Sequence, residues 1–150
     1  MYLSLSATSC RKVTCWSSYR EGMSDHPTVG ATAELMFDVT DDDTATALGS
    51  GDVPVLATPR LLAMAEAATV AAVEPWMTGP RTSVGTHVEL DHVRASAVGH
   101  KVAVRAALVH VDGATLQFEV TAEHPVDRRV VGHGRVTRVV VDRDAFLRRL

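Results

Sequence analysis

The chain has 150 residues, of which 46% are hydrophobic and 22% charged, and its fifteen Lys and Arg against eighteen Asp and Glu give a formal charge of −3. This length and composition predict one folded domain with a substantial core and exclude a disordered, collagen-like or low-complexity chain. The small acidic excess argues against a nucleic-acid partner, and no apolar run approaches the roughly 20 residues of a membrane span, so no membrane partner is expected either.

The first segment, residues 1–22, is rich in Ser and Thr and has neither helical nor strand periodicity. We expect it to be a disordered or appended extension, followed from Met23 by a single domain at residues 23–150. The interrupted apolar positions and late basic residues argue against a secretory signal. Both cysteines, Cys10 and Cys15, lie in this segment, and the cysteine-free remainder fits the reducing cytoplasm, which is the location we expect.

The first predicted strand covers residues 33–40, because apolar residues at every second position are typical of a strand with one buried face. These residues are Leu35, Phe37 and Val39. Three aspartates at residues 41–43 are expected to end the strand, and residues 44–54 are predicted to form a loop.

The clearest helical pattern follows this loop. Thr58 can cap a helix, Pro59 is tolerated at the first helical position, and residues 61–73 are rich in good helix formers. We therefore predict a helix that ends before Pro75. Because the helix is apolar nearly all round, we expect a curved sheet to wrap it and a second subunit to cover further surface.

Four more strands are predicted, over residues 84–94, 101–112, 116–122 and 130–141. Alternation places four residues of the first of these strands on its inward face: Val84, Val88, Leu90 and His92. Asp112-Gly113 predicts a tight hairpin, and Gly132-His133-Gly134 predicts a bulge or a close backbone approach. The order of elements predicts an α+β fold.

Glu66 is the only ionisable residue between Leu61 and Val73. It could lie on a narrow solvent-facing stripe, but exposed helices usually carry several charges rather than one. A buried carboxylate needs a cation or hydrogen bonds to offset the loss of water. The isolation of Glu66 therefore makes it a candidate for acid-base chemistry.

Two further residues complete the candidate site. The inward His92 is either a hydrogen-bonded core residue or, together with Glu66, a group for proton transfer. Thr58 is either a helix cap or a hydroxyl placed beside free N–H groups that could stabilise an oxyanion. Eight residues separate Thr58 from Glu66, which is about 12 Å along a helix axis, so the chain near Thr58 folds back or the site is assembled across a dimer interface.

The seven histidines do not predict a metal site. His87 and His92 fall on opposite faces of one strand, and the other histidines lack ligand spacing or cysteine support. We therefore expect neither a metal nor another cofactor.

Three segments together resemble one family. They are Val55-Leu56-Ala57-Thr58-Pro59, Met64-Ala65-Glu66-Ala67-Ala68, and Val84-Gly85-Thr86 followed by His92. Their order and spacing resemble the hotdog-fold thioesterases of the fluoroacetyl-CoA thioesterase-like family. The likeness covers residues 29–141 and includes a Gly-His-Gly-x-x-x-Arg-x-Val-Val pattern that begins at Gly132.

The resemblance implies a hotdog fold, in which a long central helix is wrapped by a curved antiparallel sheet of about five strands. It also implies a homodimer or a dimer of dimers that hydrolyses an acyl-CoA at composite interface sites. The matching catalytic positions are Glu66 as nucleophile or general base, His92 as proton shuttle, and Thr58 as polarising or orienting hydroxyl. Gly85 and Pro59 match substrate-binding positions.

One departure from the family bears on the substrate. Residues 49–55 contain no aromatic residue, whereas the fluoroacetyl-specific members have an aromatic lid there. We therefore expect a short- or medium-chain acyl-CoA rather than a fluorinated one. Two other functions stay open: a non-catalytic module that binds acyl groups or CoA, and an enoyl-CoA hydratase or dehydratase, which also needs a paired acid and base.

Overall fold

One long helix packs against a single five-stranded sheet in the computed structural model, which describes residues 24–150. The strands are β1 (Thr32–Asp38), β2 (Arg81–His92), β3 (Lys101–Asp112), β4 (Thr115–Glu123) and β5 (Val130–Asp142), and the helix is α2 (Thr58–Val73). All strand pairs are antiparallel, in the order β1-β3-β4-β5-β2, and α2 contacts every strand. The predicted α+β architecture of a helix wrapped by about five strands is confirmed. The expected extension at residues 1–22 lies outside the described residues.

The core lies between α2 and the inner face of the sheet. The alternating apolar residues of β3 and β4 predicted from the sequence are all buried: Val102, Val104, Ala106, Leu108, Leu116, Phe118, Val120 and Ala122. They pack with Leu61, Met64 and Ala68 of the helix. Since adjacent strand residues point to opposite faces, the same alternation places polar side chains on the outer face of β4, at Gln117, Glu119 and Thr121.

The hairpin between β3 and β4 is confirmed. Asp112 pairs with Thr115, so Gly113 and Ala114 form a two-residue turn. Gly113 has a φ of +55°, a conformation of the primed turns that match the twist of antiparallel strands.

Strands β2 and β5 approach each other closely where the sequence has two glycines. A Cβ atom on Gly134 would lie 2.0 Å from the carbonyl oxygen of Glu89, and one on Gly132 would lie 2.9 Å from Cδ2 of Leu61. Any side chain at these positions would push β5 away from β2 or from α2. The predicted close backbone approach is confirmed.

The predicted inward face of β2 is correct at Val88, Leu90 and His92 but wrong at Val84. The register shifts between Gly85 and His87, and this bulge reverses the alternation on its N-terminal side. Gly85, rather than Val84, therefore faces the helix, where its Cα lies beside the Glu66 carboxylate.

Two short helices lie outside the predicted helix and strands. Helix α1 (Ala45–Leu48) lies within the predicted loop, and Thr44 caps it by accepting a hydrogen bond from the Ala47 N–H. Helix α3 (Arg143–Leu147) follows β5, and Asp142 caps it. Across residues 24–150, no helix combines the length and apolar character needed to cross a bilayer.

The start of α2 also differs from the prediction. Ala57 is the N-cap residue, Thr58 and Pro59 are the first and second helical residues, and no side chain caps the end. The prediction of Thr58 as a cap is wrong, because the Thr58 hydroxyl points to another element of the fold.

Candidate active site

The hydroxyl of Thr58 contacts the imidazole of His92. Thr58 Oγ1 lies 2.9 Å from His92 Nδ1, which joins the first residue of α2 to the last residue of β2. The first turn of a helix has backbone N–H groups without intrahelical acceptors and a positive dipole end. A hydroxyl, an imidazole and free N–H donors therefore share one corner of the fold.

Burial favours the neutral form of His92. Burial lowers the pKa of His92 below its ordinary value of 6.5, and the nearby Arg94 backbone acts in the opposite direction more weakly. Nε2 of His92 is buried and has no hydrogen-bond partner among residues 24–150. A neutral imidazole has one N–H group and one lone pair, so it can both donate and accept a proton.

A cavity of about 280 Å³ opens beside this pair. Its apolar lining includes Val55, Leu56, Ala57 and Val93, and its polar lining consists of Ser50, Thr58, His92 and Arg94. The wall is held by backbone bonds, since the Leu56 N–H donates to Ser96 O at 2.8 Å and the Ala57 N–H donates to Asp43 O at 2.9 Å. The cavity has the mixed apolar and polar lining of small-molecule sites.

Glu66 lies in a second cluster, paired with an arginine. Arg138 Nη1 donates to Glu66 Oε2 at 3.0 Å, and the side chains of Arg138 and Glu66 are 7% and 34% exposed. The other two guanidinium nitrogens of Arg138 also donate, Nε to Ser83 Oγ and Nη2 to Ser83 O, each at 2.9 Å. Arg138 thus fixes the position of the Glu66 carboxylate.

Gly85 lies directly beneath this carboxylate. A Cβ atom on Gly85 would lie 2.6 Å from Glu66 Oε2 and 3.7 Å from Arg138 Nη1. Only a residue without a side chain leaves the Glu66 carboxylate in this place. The matched position Pro59, by contrast, is exposed at the start of α2 and does not line the cavity.

Within one chain, the three predicted catalytic residues fall into two groups. Thr58 and His92 are in contact, whereas Glu66 binds Arg138 and is in contact with neither of them. His92 follows Gly85 by seven positions in β2, which is about 20 Å along an extended strand. A single chain therefore does not bring Glu66 to the Thr58 and His92 pair.

Arg138 received no role from the sequence, although it lies in the pattern that begins at Gly132. The available signal was the alternation of β5: Arg138 is two residues from the fully buried Val136, so it points to the same inward face. A lone arginine on an inward strand face, like a lone glutamate on an apolar helix, indicates a buried charge that needs a partner. Here Arg138 and Glu66 are each other's partners.

A further polar pair, Ser96 and His124, lies next to the cavity wall, since Ser96 O accepts the hydrogen bond from Leu56 N–H. Ser96 is fully buried, and its Oγ lies 2.8 Å from His124 Nε2. The His100 ring packs edge-on against the His124 ring, with 5.2 Å between their centroids. Burial lowers the pKa of His124, as do the charges of His100, Arg94 and Arg129, while Asp127 acts to raise it.

Known structures share this architecture. A hot-dog-like protein from Thermanaerovibrio acidaminovorans superposes with a TM-score of 0.73 over 81% of this chain and 88% of its own, at 23% identity. A mutant of the fluoroacetyl-CoA-specific thioesterase FlK, solved in complex with fluoroacetate and CoA, has a TM-score of 0.73 and 29% identity over 79% of this chain and 98% of its own. The fold is thus the hotdog fold, of the type found in thioesterases.

The sequence defines the relationship more closely. Residues 39–144 match the model of the family described as fluoroacetyl-CoA-specific thioesterase, FlK. The fluoroacetyl-CoA thioesterase of Streptantibioticus cattleyicolor is 33% identical over 92 residues, which are 61% of this chain and 65% of that protein. The aligned part is thus just under two thirds of the length of this relative. The chain belongs to the FlK thioesterase family, as its sequence motifs indicated.

Proposed function

We propose that this protein hydrolyses acyl-CoA thioesters with a short or medium acyl chain, at a site that two copies of the chain complete together. The observation that carries this proposal is the contact of Thr58 Oγ1 with His92 Nδ1 at 2.9 Å on the wall of the cavity. Membership of a thioesterase family supports the reaction class.

Thr58 and His92 act on the thioester group in this proposal. The Thr58 hydroxyl and the free N–H groups of the first turn of α2 orient and polarise the thioester carbonyl. His92, neutral because of its lowered pKa, accepts, directly or from Glu66, the proton that the attacking water gives up, and passes it to the sulfur of the leaving CoA thiolate. General acid–base catalysis of this kind contributes about 10² to 10⁴ in rate.

Glu66 supplies the attacking oxygen by one of two routes. As general base it removes a proton from water, and the water oxygen bonds to the acyl carbon as the C–S bond breaks. As nucleophile its carboxylate forms that bond and gives an anhydride, which water then opens to free acid. Either route needs an oriented carboxylate, and the hydrogen bond from Arg138 holds the carboxylate of Glu66 in place.

A homodimer would bring the two clusters together. β2 lies at the edge of the sheet and pairs only with β5 among the described strands, so its other edge can pair with a second copy. Antiparallel pairing of two β2 strands, centred between Val88 and Glu89, would set Gly85 of one chain opposite His92 of the other. Glu66 of one copy would then lie beside Thr58 and His92 of its partner.

The proposed substrate range follows from the cavity and its rim. The cavity of about 280 Å³ has room for a small acyl group, and residues 49–55 provide no aromatic lid to restrict it. The relative from Streptantibioticus cattleyicolor acts on fluoroacetyl-CoA. For this chain we propose short or medium acyl groups, a cytoplasmic location and no cofactor.

The test is incubation of the protein with acyl-CoAs from acetyl to octanoyl while free thiol is measured. The proposal predicts turnover by the wild type and its loss in the Glu66→Ala variant. No turnover on any acyl-CoA, or full activity of Glu66→Ala, would refute it. Saturable binding without thiol release would indicate a binding module, and a change in enoyl absorbance without thiol release would indicate a hydratase.

A further inference from the structure

Arg94 adds a positive charge to the wall of the same cavity that Thr58 and His92 line. None of the other lining residues is acidic. The arginine follows the end of β2 by two residues. The cavity is therefore biased towards anionic ligands.

The backbone at Arg94 is fixed, but much of its guanidinium group is free. The N–H groups of Val93 and Arg94 both donate to Val131 O, at 2.9 and 3.1 Å, and Arg94 Nε donates to Val130 O at 3.3 Å. Within residues 24–150, no carboxylate lies within 4.0 Å of the Arg94 guanidinium nitrogens. The two terminal nitrogens remain available in a fork that fits a carboxylate or a phosphate.

Resting on the proposed function, we propose that Arg94 is a specificity-determining residue that binds an anionic group of the substrate in this cavity. This group is a carboxylate at the far end of the acyl chain or a phosphate of CoA, since both present the paired oxygens that a guanidinium recognises. Ser50, which also lines the cavity, offers a hydroxyl to the same group.

Binding is measured with four ligands in which a methylene replaces the thioester sulfur, so that no turnover occurs. They carry a succinyl or an isocaproyl group, which have similar shapes but differ in charge, on either CoA or dephospho-CoA. The proteins are the wild type, Arg94→Gln, Arg94→Lys and, as a matched control, Arg105→Gln, which removes an exposed arginine of β3 that does not line the cavity.

We expect Arg94→Gln to weaken binding of at least one ligand by about five-fold or more, as for a partly exposed charged contact, and Arg94→Lys to recover part of it. If Arg94→Gln loses affinity only for the two succinyl ligands, the group that Arg94 binds is the acyl carboxylate. If the variant loses affinity for both CoA ligands but for neither dephospho-CoA ligand, the group is the ribose phosphate. If it loses affinity for all four ligands, the group is the pyrophosphate.

Three results would overturn the inference. The first is unchanged affinity of Arg94→Gln for all four ligands, and the second is an equal loss of affinity in Arg105→Gln. Absence of binding by the wild type would overturn it as well. Thiol release by the wild type is measured separately, so a protein that shows the Arg94 effect without turnover would refute the proposed hydrolysis and leave the anion site standing.

Discussion

The hydroxyl of Thr58 lies 2.9 Å from Nδ1 of His92, a residue 34 positions away in the sequence. This contact joins the start of the central helix to the end of an edge strand, and it takes the place of the helix cap that a threonine at this position would otherwise provide. The Thr58 hydroxyl is therefore available for chemistry and has little part in holding the helix.

The variants Thr58→Val and Thr58→Ser separate these two roles. We expect Thr58→Val to lower kcat/KM for acyl-CoA by about 10² or more and Thr58→Ser to keep most of the activity, because only serine retains the hydroxyl. Thr58 is exposed and does not cap the helix. The free energy of unfolding of both variants should therefore lie within about 0.5 kcal/mol of the wild-type value. Steady-state kinetics and urea unfolding check this, and equal activity of Thr58→Val and Thr58→Ser would argue against a role for the hydroxyl.

The pH dependence of activity should report the neutral form of His92. Burial lowers its pKa below 6.5, so the imidazole stays neutral and active at neutral pH and is lost to protonation only in more acidic solution. We expect the acid limb of kcat/KM to have its midpoint below pH 6.5 and to be absent from the residual activity of His92→Gln. A midpoint at or above pH 6.5 would contradict the assignment.

Gly85→Ala should damage the site more than the fold. Its Cβ would lie 2.6 Å from Glu66 Oε2, and the free end of a side chain can move away at little cost in stability. A displaced catalytic group lowers the rate by about 10², and we expect a loss of that size in kcat. The comparison is Gly134→Ala, whose Cβ would lie 2.0 Å from a backbone oxygen and should destabilise the fold by about 1–3 kcal/mol. Equal activities of Gly85→Ala and the wild type would show that the Glu66 position is not critical.

The pair of Ser96 and His124 should make stability depend on pH. The pKa of His124 is lowered by burial and by the charges of His100, Arg94 and Arg129, which outweigh Asp127. Below about pH 6.5 the unfolded chain therefore binds more protons at this residue than the folded chain does, so the stabilisation is present above that pH and is lost as pH falls.

Urea unfolding between pH 7.5 and pH 5.5 measures this effect. We expect the free energy of unfolding to fall less steeply in His124→Gln than in the wild type. His110→Gln, which changes an exposed histidine of β3, is the control and should follow the wild type. Identical slopes for His124→Gln and the wild type would show that His124 does not contribute.

Alternation predicted the core well because each buried strand face is a local property of the sequence. The faces of β3 and β4 follow period two without interruption from Val102 to Leu108 and from Leu116 to Ala122. The predicted face of Val84 was wrong because of the bulge between Gly85 and His87. This bulge depends on the pairing of β2 with β5, which the sequence of β2 alone does not show. Thr58 was misassigned for a similar reason, since its partner His92 is distant in the sequence.

The contacts within the candidate site were predicted in part. An isolated charge on an apolar helix made Glu66 a candidate, and the inward face of β2 made His92 one, but the contact of Glu66 with Arg138 was missed. Arg138 lies 72 residues further along the chain, and only the three-dimensional arrangement of β5 against α2 shows that its charge offsets that of Glu66. The separation of Glu66 from His92 within one chain agrees with the helical rise between Thr58 and Glu66, which already required a second subunit or a folded-back chain.

Mixing two inactive variants tests the composite site most directly. Glu66→Gln and His92→Gln are each purified, mixed in equal amounts, unfolded and refolded together, and thiol release from an acyl-CoA substrate of the wild type is measured. If one chain supplies Glu66 and the other Thr58 and His92, half of the dimers have one intact site, and the mixture regains about a quarter of the wild-type activity. A mixture that forms dimers but stays as inactive as its components would contradict this account.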